Sequence, residues 1–326
     1  MYYFTFGSGP DFPFQDGWVT VDADTRTEAC EIFRQYYPNP KHPDTINCSF
    51  IYPEEQFKHT SMYKEGNFNA FCHNHLTKKP IPKMDISNLI IETTRKCNMA
   101  CEHCLRGDAQ NKNITMETLI PFLKHVNEIG TLSFSGGEPT LHLDILEQLL
   151  EYVKEHQIPV ANFYIVTNGK IVSNRFLHLL IDWYVYTMNW TYEPEMSGVA
   201  LSKDPFHEEI PTENIQKLRA LSFFRTDKFN DFKGKSLIPK GKARNLPAEK
   251  FISRSSTTEF SDYIEYEPED NLFRLPEDEI YITVNGNIIL DCDYEYEEEE
   301  KITKGNTRKM HDFFRLIKEH ANKDEE

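Results

Sequence analysis

Cys97-Asn98-Met99-Ala100-Cys101-Glu102-His103-Cys104 sets three cysteines in C-x-x-x-C-x-x-C spacing just after residues 87–93, a strand pattern with two central isoleucines. Thiolates are preferred ligands of iron–sulfur clusters. Three of them can hold three irons of a cubane 4Fe–4S cluster. No fourth cysteine follows at ferredoxin spacing, so one iron is left open to a small-molecule ligand, as catalytic zinc sites keep an open position. The competing reading is a zinc knuckle with His103 as fourth ligand, although His103 lies between two of the cysteines rather than at zinc-finger spacing.

Outward from this loop, strand and helix patterns alternate. Thr115 is placed to cap a helix reaching about residue 128, with Glu117 in its first turn, where the dipole favours an acid. Residues 131–135 read as a strand ending in Gly136-Gly137-Glu138-Pro139. Leu146, Leu149, Leu150 and Val153 repeat at helical spacing within 143–156. Residues 162–167 form the next strand, ending in Asn168-Gly169. A short apolar helix comes next over 174–181. Residues 184–189 are β-branched and aromatic enough for a strand, or can continue that helix. A strand over 197–202, a helix over 212–222 and a strand edge over 237–244 complete the series. Such alternation builds βαβ units around a parallel sheet, whose chemistry gathers at the C-terminal strand ends. The cysteine loop, the Gly-Gly-Glu-Pro turn, the Thr167-Asn168-Gly169 turn and Ser202-Lys203-Asp204 all fall at such ends.

Cys97, Cys101 and Cys104, followed by Ser135-Gly136-Gly137-Glu138-Pro139, resemble the radical S-adenosylmethionine (radical SAM) superfamily over roughly residues 86–255. The resemblance implies an α/β fold with a partial (βα)6 barrel. It also implies a 4Fe–4S cluster whose unique iron chelates S-adenosyl-L-methionine (SAM). Reductive cleavage of SAM then yields a 5′-deoxyadenosyl radical that abstracts hydrogen from a substrate. The implied activity is that of an oxidoreductase-type enzyme, with a low-potential flavodoxin or ferredoxin as electron donor.

The resemblance also implies further site residues. Gly136 and Gly137 let backbone approach the ligand, their carbonyls and Glu138 can accept from its ammonium group, and Pro139 stiffens the exit. Taken alone, the same four residues read as an ordinary turn. Thr167 and Asn168 can reach ribose or carboxylate, or can simply form a turn. Ser202 and Asp204 resemble a Ser-x-Asp pattern that contacts SAM, although Asp204 can equally cap the next segment of chain. Gly241-Lys242-Ala243-Arg244-Asn245 resembles a sixth-strand turn in which Arg244 pairs with the SAM carboxylate. Lys242 stands where the family often has arginine. The alternative is a surface basic turn.

The tail, 256–326, is expected to be a hairpin-helix extension of SPASM or twitch type. Asn285-Gly286 reads as a type I′ turn, and Phe313, Phe314 and Ile317 form the apolar stripe of a closing helix. Cys292 is the lone cysteine of this tail, so an auxiliary cluster is not expected. It is either a packed small hydrophobe or a thiol that returns hydrogen to a substrate radical, the catalytic candidate. The run Glu297–Glu300 reads as a solvated face.

Residues 1–83 read as a small α+β module. Strands are expected over 2–6, 18–22 and 47–52, with a helix over 26–36 capped by Asp24 or Thr25 and ended by Pro38-Asn39-Pro40. Cys72, His73 and His75 form a metal-like clump that reads better as ordinary packing or surface. The module could bind a peptide or protein substrate. A small anionic metabolite or nucleotide is the alternative substrate, and a non-catalytic iron–sulfur or SAM-binding sensor is the alternative to an enzyme.

Composition bounds these readings. The 326 residues hold 36 basic and 52 acidic side chains, a net charge of −16, which argues against binding along a nucleic-acid backbone. Residues 225–254 nonetheless hold nine basic residues against three acidic ones, a solvated loop or the flank of an anionic substrate. No apolar run reaches the length of a transmembrane helix. The start, Met-Tyr-Tyr-Phe-Thr-Phe-Gly, has no basic segment before an apolar one, so a cytoplasmic protein without signal peptide is expected. An odd cysteine count of seven does not describe a secreted disulfide framework.

Overall fold

The structure, a computed structural model, describes residues 1–39, 42, 45–66, 70–202, 207–225, 237–247, 249, 251–252 and 257–321. Two compact units divide it, Met1–Ile81 and Pro82–Glu326.

In the first unit, strands β1 (Tyr2–Thr5), β2 (Trp18–Val21), β3 (Phe50–Pro53) and β4 (Cys72–Leu76) form one sheet in the order β3-β1-β2-β4. The helix Arg26–Tyr36 starts where Thr25 accepts the Glu28 N–H, a side-chain cap of the orphan donors. Its Ala29, Ile32 and Phe33 pack on Phe4, Val19 and Val21. Cys72, His73 and His75 do not converge. Cys72 is exposed. The His73 ring stacks on Phe14 at 4.3 Å, and His75 Nδ1 meets the Thr20 hydroxyl at 2.7 Å.

The second unit is built on one nine-stranded sheet. Its strands are β5 (Lys83–Thr94), β6 (Val126–Gly136), β7 (Val160–Thr167), β8 (Gly198–Leu201), β9 (Phe224–Arg225), β10 (Glu265–Glu267), β11 (Leu272–Ile282), β12 (Asn287–Ile289) and β13 (Gly305–Asn306). The path runs β13-β12-β11-β5-β6-β7-β8-β9, with β10 on β11. All neighbours from β11 through β9 are parallel, the α/β arrangement expected. Helices Met116–Leu123, Leu143–Glu155, Asn174–Thr187 and Thr212–Arg219 connect these strands. Buried Leu146, Leu149, Leu150 and Val153 keep the helical spacing seen in the sequence.

Several boundaries move for physical reasons. The helix begun at Thr115 ends at Leu123, because Val126 already pairs with Met84 as β6 begins. Thr115 does not accept a helix N–H; its hydroxyl donates to Glu117 at 3.2 Å. Residues 184–187 continue the helix, since Trp183, Tyr186 and Thr187 fall on the buried face with Phe176, Leu179 and Leu180. The strand edge expected over 237–244 is a single bridge from Leu237 to Phe251, followed by a 3-10 turn at Gly241–Asn245. Gly241 at φ +54° cannot continue a strand. Among the described residues, the sixth parallel strand is β11, on the other flank of β5.

The tail therefore completes the sheet of the second unit. Its β11–β12 link, Thr283–Gly286, is longer than a two-residue hairpin turn. Gly286 alone of the Asn285-Gly286 pair has positive φ, +79°, whereas type I′ needs both. Phe313, Phe314 and Ile317 are buried along the closing helix Met310–Ala321, as the stripe implies.

Candidate functional site

Parallel pairing aligns the C-terminal ends of β5, β6, β7 and β8. Beyond them opens a cavity of about 540 Å³. Cys97, Cys101 and Cys104 line it, together with Ser135, Gly136, Gly137, Glu138, Pro139, Thr167, Asn168, Ser202 and Cys292. The three loop cysteines are free and half-buried. Burial pushes the Cys97 thiol up from its ordinary range.

The loop is held from several sides. Asn168 donates to Asn98 Oδ1 at 2.7 Å and approaches Cys97 Sγ at 3.9 Å. Glu208 accepts the Ala100 N–H at 3.2 Å and pairs with Lys170. Both contacts hold its carboxyl below the usual range, the Lys170 bond contributing more. The Lys242 N–H donates to the Cys104 carbonyl at 2.9 Å.

The two glycines of the turn line the cavity and also serve the protein's own backbone. A Cβ on Gly136, at φ +133°, would stand 2.2 Å from the Thr94 carbonyl oxygen, and one on Gly137 would stand 2.2 Å from that of Lys96. These glycines let the β6 turn close on the backbone leading into the cysteine loop. Gly137 N–H donates to Thr94 O at 2.7 Å, and Glu138 N–H to Lys96 O at 2.8 Å.

Glu138 is buried. Its Oε1 accepts from Thr140 N–H at 3.1 Å, the Thr140 hydroxyl at 2.7 Å and the Thr167 hydroxyl at 2.8 Å. Its Oε2 accepts from Asn168 N–H at 2.8 Å. Four bonds thus commit most of this carboxylate to joining strand ends. Pro139 opens a short 3-10 turn that Glu138 caps. Ser202 N–H donates to Thr167 O at 2.8 Å, and its hydroxyl meets His207 Nε2 at 3.0 Å. His207 in turn packs edge-on against His103 at 4.8 Å. Asp204 lies outside the described residues, as do Lys228, Lys233, Lys235, Lys250 and Arg254 of the basic segment.

Arg244 is not brought to the cavity. It is mostly exposed and pairs with Glu295, while Lys242 takes the place at the lining and pairs with Asp108 at 2.7 Å. The 3-10 turn carries Arg244 away because Gly241 packs tightly against the cysteine loop: a Cβ there would stand 2.4 Å from the carbonyls of Cys104 and Leu105.

Cys292 reaches the cavity from the tail. Its N–H donates to Glu279 at 2.9 Å. Burial first, then Glu279 and Asp293, push its thiol far above the ordinary range. Glu279, Asp291 and Cys292 form the only group of three such side chains, among the described residues, whose ligand atoms all lie within 4.8 Å of one another.

That last fact tests how the loop cysteines fit a metal. Thiolates sharing one zinc at about 2.3 Å stand roughly 4 Å apart. Cys97, Cys101 and Cys104 do not gather that closely, which disfavours the zinc knuckle. Three soft donors on one cavity wall fit a polynuclear cluster instead.

Unforeseen in the sequence is a buried charged network behind the loop. Arg95 donates to Glu92 at 3.0 Å, Glu299 at 2.7 Å and Gln110 at 3.2 Å, and lies over the Tyr296 ring at 4.3 Å. Glu92 also accepts from the Tyr294 hydroxyl and Val284 N–H, both at 2.9 Å. Glu299 is buried rather than solvated, and Asp291, Asp293 and Glu295 are buried beside it. The one sequence signal for this was the alternation Asp291-Cys292-Asp293-Tyr294-Glu295-Tyr296, which breaks the uniformity of a solvated acidic run.

Residues 91–187 match the family model described as the Radical SAM superfamily. This chain carries a radical SAM domain. The matched region includes the cysteine loop and both turns that meet it. Over 87 residues, 26% of this chain, the radical SAM domain is 29% identical to an S-adenosylmethionine-dependent nucleotide dehydratase of Selenomonas ruminantium, covering 30% of that protein. Over 95 residues, 28% of this chain, it is 32% identical to a probable GTP 3′,8-cyclase of Methanocaldococcus jannaschii, covering 31% of it. The chain thus spans between about a fifth and a third of the length of the curated relatives it matches. Among solved structures, native anSMEcpe with bound AdoMet and Cp18Cys peptide aligns with 74% of this chain and 84% of its own, at 14% identity and a TM-score of 0.43. Streptococcus suis SuiB bound to precursor peptide SuiA aligns with 76% and 66%, at 15% identity and a TM-score of 0.28. Among the described residues, no helix is long and apolar enough to cross a membrane.

Proposed function

We propose that the radical SAM domain is catalytic. Cys97, Cys101 and Cys104 would hold a 4Fe–4S cluster, and the adjoining turns would hold SAM. The observation that carries this reading is the convergence of four parallel strand ends on one cavity that the three cysteines line. When bound, such a pair supplies a 5′-deoxyadenosyl radical that takes a hydrogen atom from a substrate.

The chain's own residues bind, orient and enclose. Glu138 fixes the turns after β6 and β7 in one arrangement, so Gly136, Gly137, Thr167 and Asn168 present their polar groups to the cavity together. Preorganised dipoles of this kind cost no rearrangement when a charged ligand arrives. Ser202, tied to Thr167 and His207, presents its hydroxyl on the same rim. Ile90, Ser133, Tyr164 and Val166 line the cavity's interior, where β5, β6 and β7 run below the cysteine loop. Cys292 is the proposed hydrogen donor. Burial first, then Glu279 and Asp293, favour its S–H form, the form a hydrogen-atom donor needs.

A peptide or protein segment is the substrate class we favour. Within the Met1–Ile81 sheet, β3 and β4 are both edge strands, and Phe50 and Phe71 beside them are exposed. Extended peptides add to such edges through main-chain bonds, with side-chain pockets giving specificity. A low-potential flavodoxin or ferredoxin is the proposed electron source.

The test is anaerobic incubation of reconstituted protein with SAM and a strong reductant. Release of 5′-deoxyadenosine, lost on replacing any loop cysteine by Ala, is the expected result. Tight SAM binding without cleavage would sink the catalytic reading and favour a sensor.

A further inference from the structure

Arginines bracket the cysteine loop on both sides, and both are anchored in the tail. Arg95 stands two residues before Cys97, and Arg106 two residues after Cys104. Arg106 donates to the Tyr294 carbonyl at 2.9 Å and the Tyr281 hydroxyl at 3.2 Å, and lies over the Tyr294 ring at 4.1 Å. Its own carbonyl accepts the Tyr296 N–H at 3.3 Å. Arg95 pairs with Glu299 across 204 positions of sequence. Both arginines line the cavity with the three cysteines.

We propose that Arg95 and Arg106 are positioning residues that seat the cysteine loop on the tail and set the electrical field at the cluster, with Glu299 offsetting part of that field; the inference rests on the cluster reading above. A thiolate-bound cubane gains negative charge on reduction, so a nearby cation favours the reduced form and a nearby carboxylate the oxidised one. Net charge, hydrogen bonding and burial are the levers that spread cluster potentials widely. Charges act strongly here because the groups are withdrawn from water: Arg95 and Glu299 are 2% and 3% exposed. Seating alone is a mechanical role. The field makes a further, signed demand.

Signs make the test decisive. Full-length protein, reconstituted anaerobically, is assayed for iron, sulfide and the thiolate-to-iron absorbance, then titrated for midpoint potential by electron paramagnetic resonance. Arg106→Gln removes a cation and should lower the potential. Arg106→Lys keeps the charge and should stay near wild type. Glu299→Gln keeps one oxygen for Arg95, turns its NH2 toward the Thr283 and Asn287 donors, removes an anion and should raise the potential. Opposite shifts support the inference. Shifts in the same direction, no shifts, or Arg106→Lys tracking Arg106→Gln would overturn it, because general loosening acts without regard to sign. Should Arg106→Gln fail to fold, Glu299→Gln decides: an upward shift supports, and no shift or a downward one overturns. A wild-type chain that takes up no iron would overturn the cluster reading and this inference with it.

Discussion

The Glu138 carboxylate accepts the backbone N–H of Asn168 at 2.8 Å, so the turn after β6 is locked to the turn after β7. Around that bond, Thr140 and Thr167 fill the other oxygen. Glu138→Gln would set an amide NH2 against donors on one side of the carboxylate. A buried group left without its partner costs about 1–3 kcal/mol. Denaturant unfolding should show a loss of that size, and an unchanged midpoint would contradict the lock.

Glycine substitutions probe the closeness of the turn to the cysteine loop. Gly137→Ala, and Gly241→Ala on the opposite side, each drive a Cβ within 2.4 Å of loop backbone oxygens. Iron uptake per chain should fall severalfold in both. Gly66→Ala meets nothing within 4 Å and shares the left-handed φ of Gly241, +59° against +54°, so it should leave iron uptake unchanged. Equal loss in all three would mean the effect is global instability.

Local patterns in the sequence already showed the cysteine loop, the Gly-Gly-Glu-Pro turn and the strands leading to them, because each is specified by neighbours within a few residues. The role of Gly136 and Gly137 was not visible, since the carbonyls they approach belong to another strand and its exit. Residues 184–187 were ambiguous because aromatic and β-branched residues suit a strand until the partners of Trp183 and Tyr186 are known. Glu299 read as solvated for the same reason: its partner, Arg95, lies 204 positions away. Arg244 was misplaced because residues 241–245 wind into a 3-10 turn instead of continuing a strand edge.

Cysteine burial predicts an alkaline weakness. The folded state pushes the Cys48 thiol up to about 12, chiefly by burial, against about 8.5 unfolded. Above the unfolded value the unfolded chain releases a proton that the folded chain retains, so stability falls as pH rises. The loss approaches about 1.4 kcal/mol per pH unit for such a group. Cys48→Ala should flatten the decline in melting temperature between roughly pH 8.5 and 11. An unaltered slope would contradict the assignment.

Cys292 is tested by separating cleavage from product. With the thiol gone, Cys292→Ala should still release 5′-deoxyadenosine, while the normal product falls at least tenfold and off-pathway products accumulate. Mass spectrometry of the substrate pool reads the difference. Unchanged product would make Cys292 a packing residue.

Iron content of the triple variant decides whether the three loop cysteines hold the cluster. Anaerobically reconstituted wild type should hold about four irons and four sulfides, with a broad band near ~400 nm. Replacing Cys97, Cys101 and Cys104 together by Ala should bring iron close to zero, because Cys292 alone cannot hold a cubane. About four irons remaining in that variant, or none in the wild type, would contradict the account.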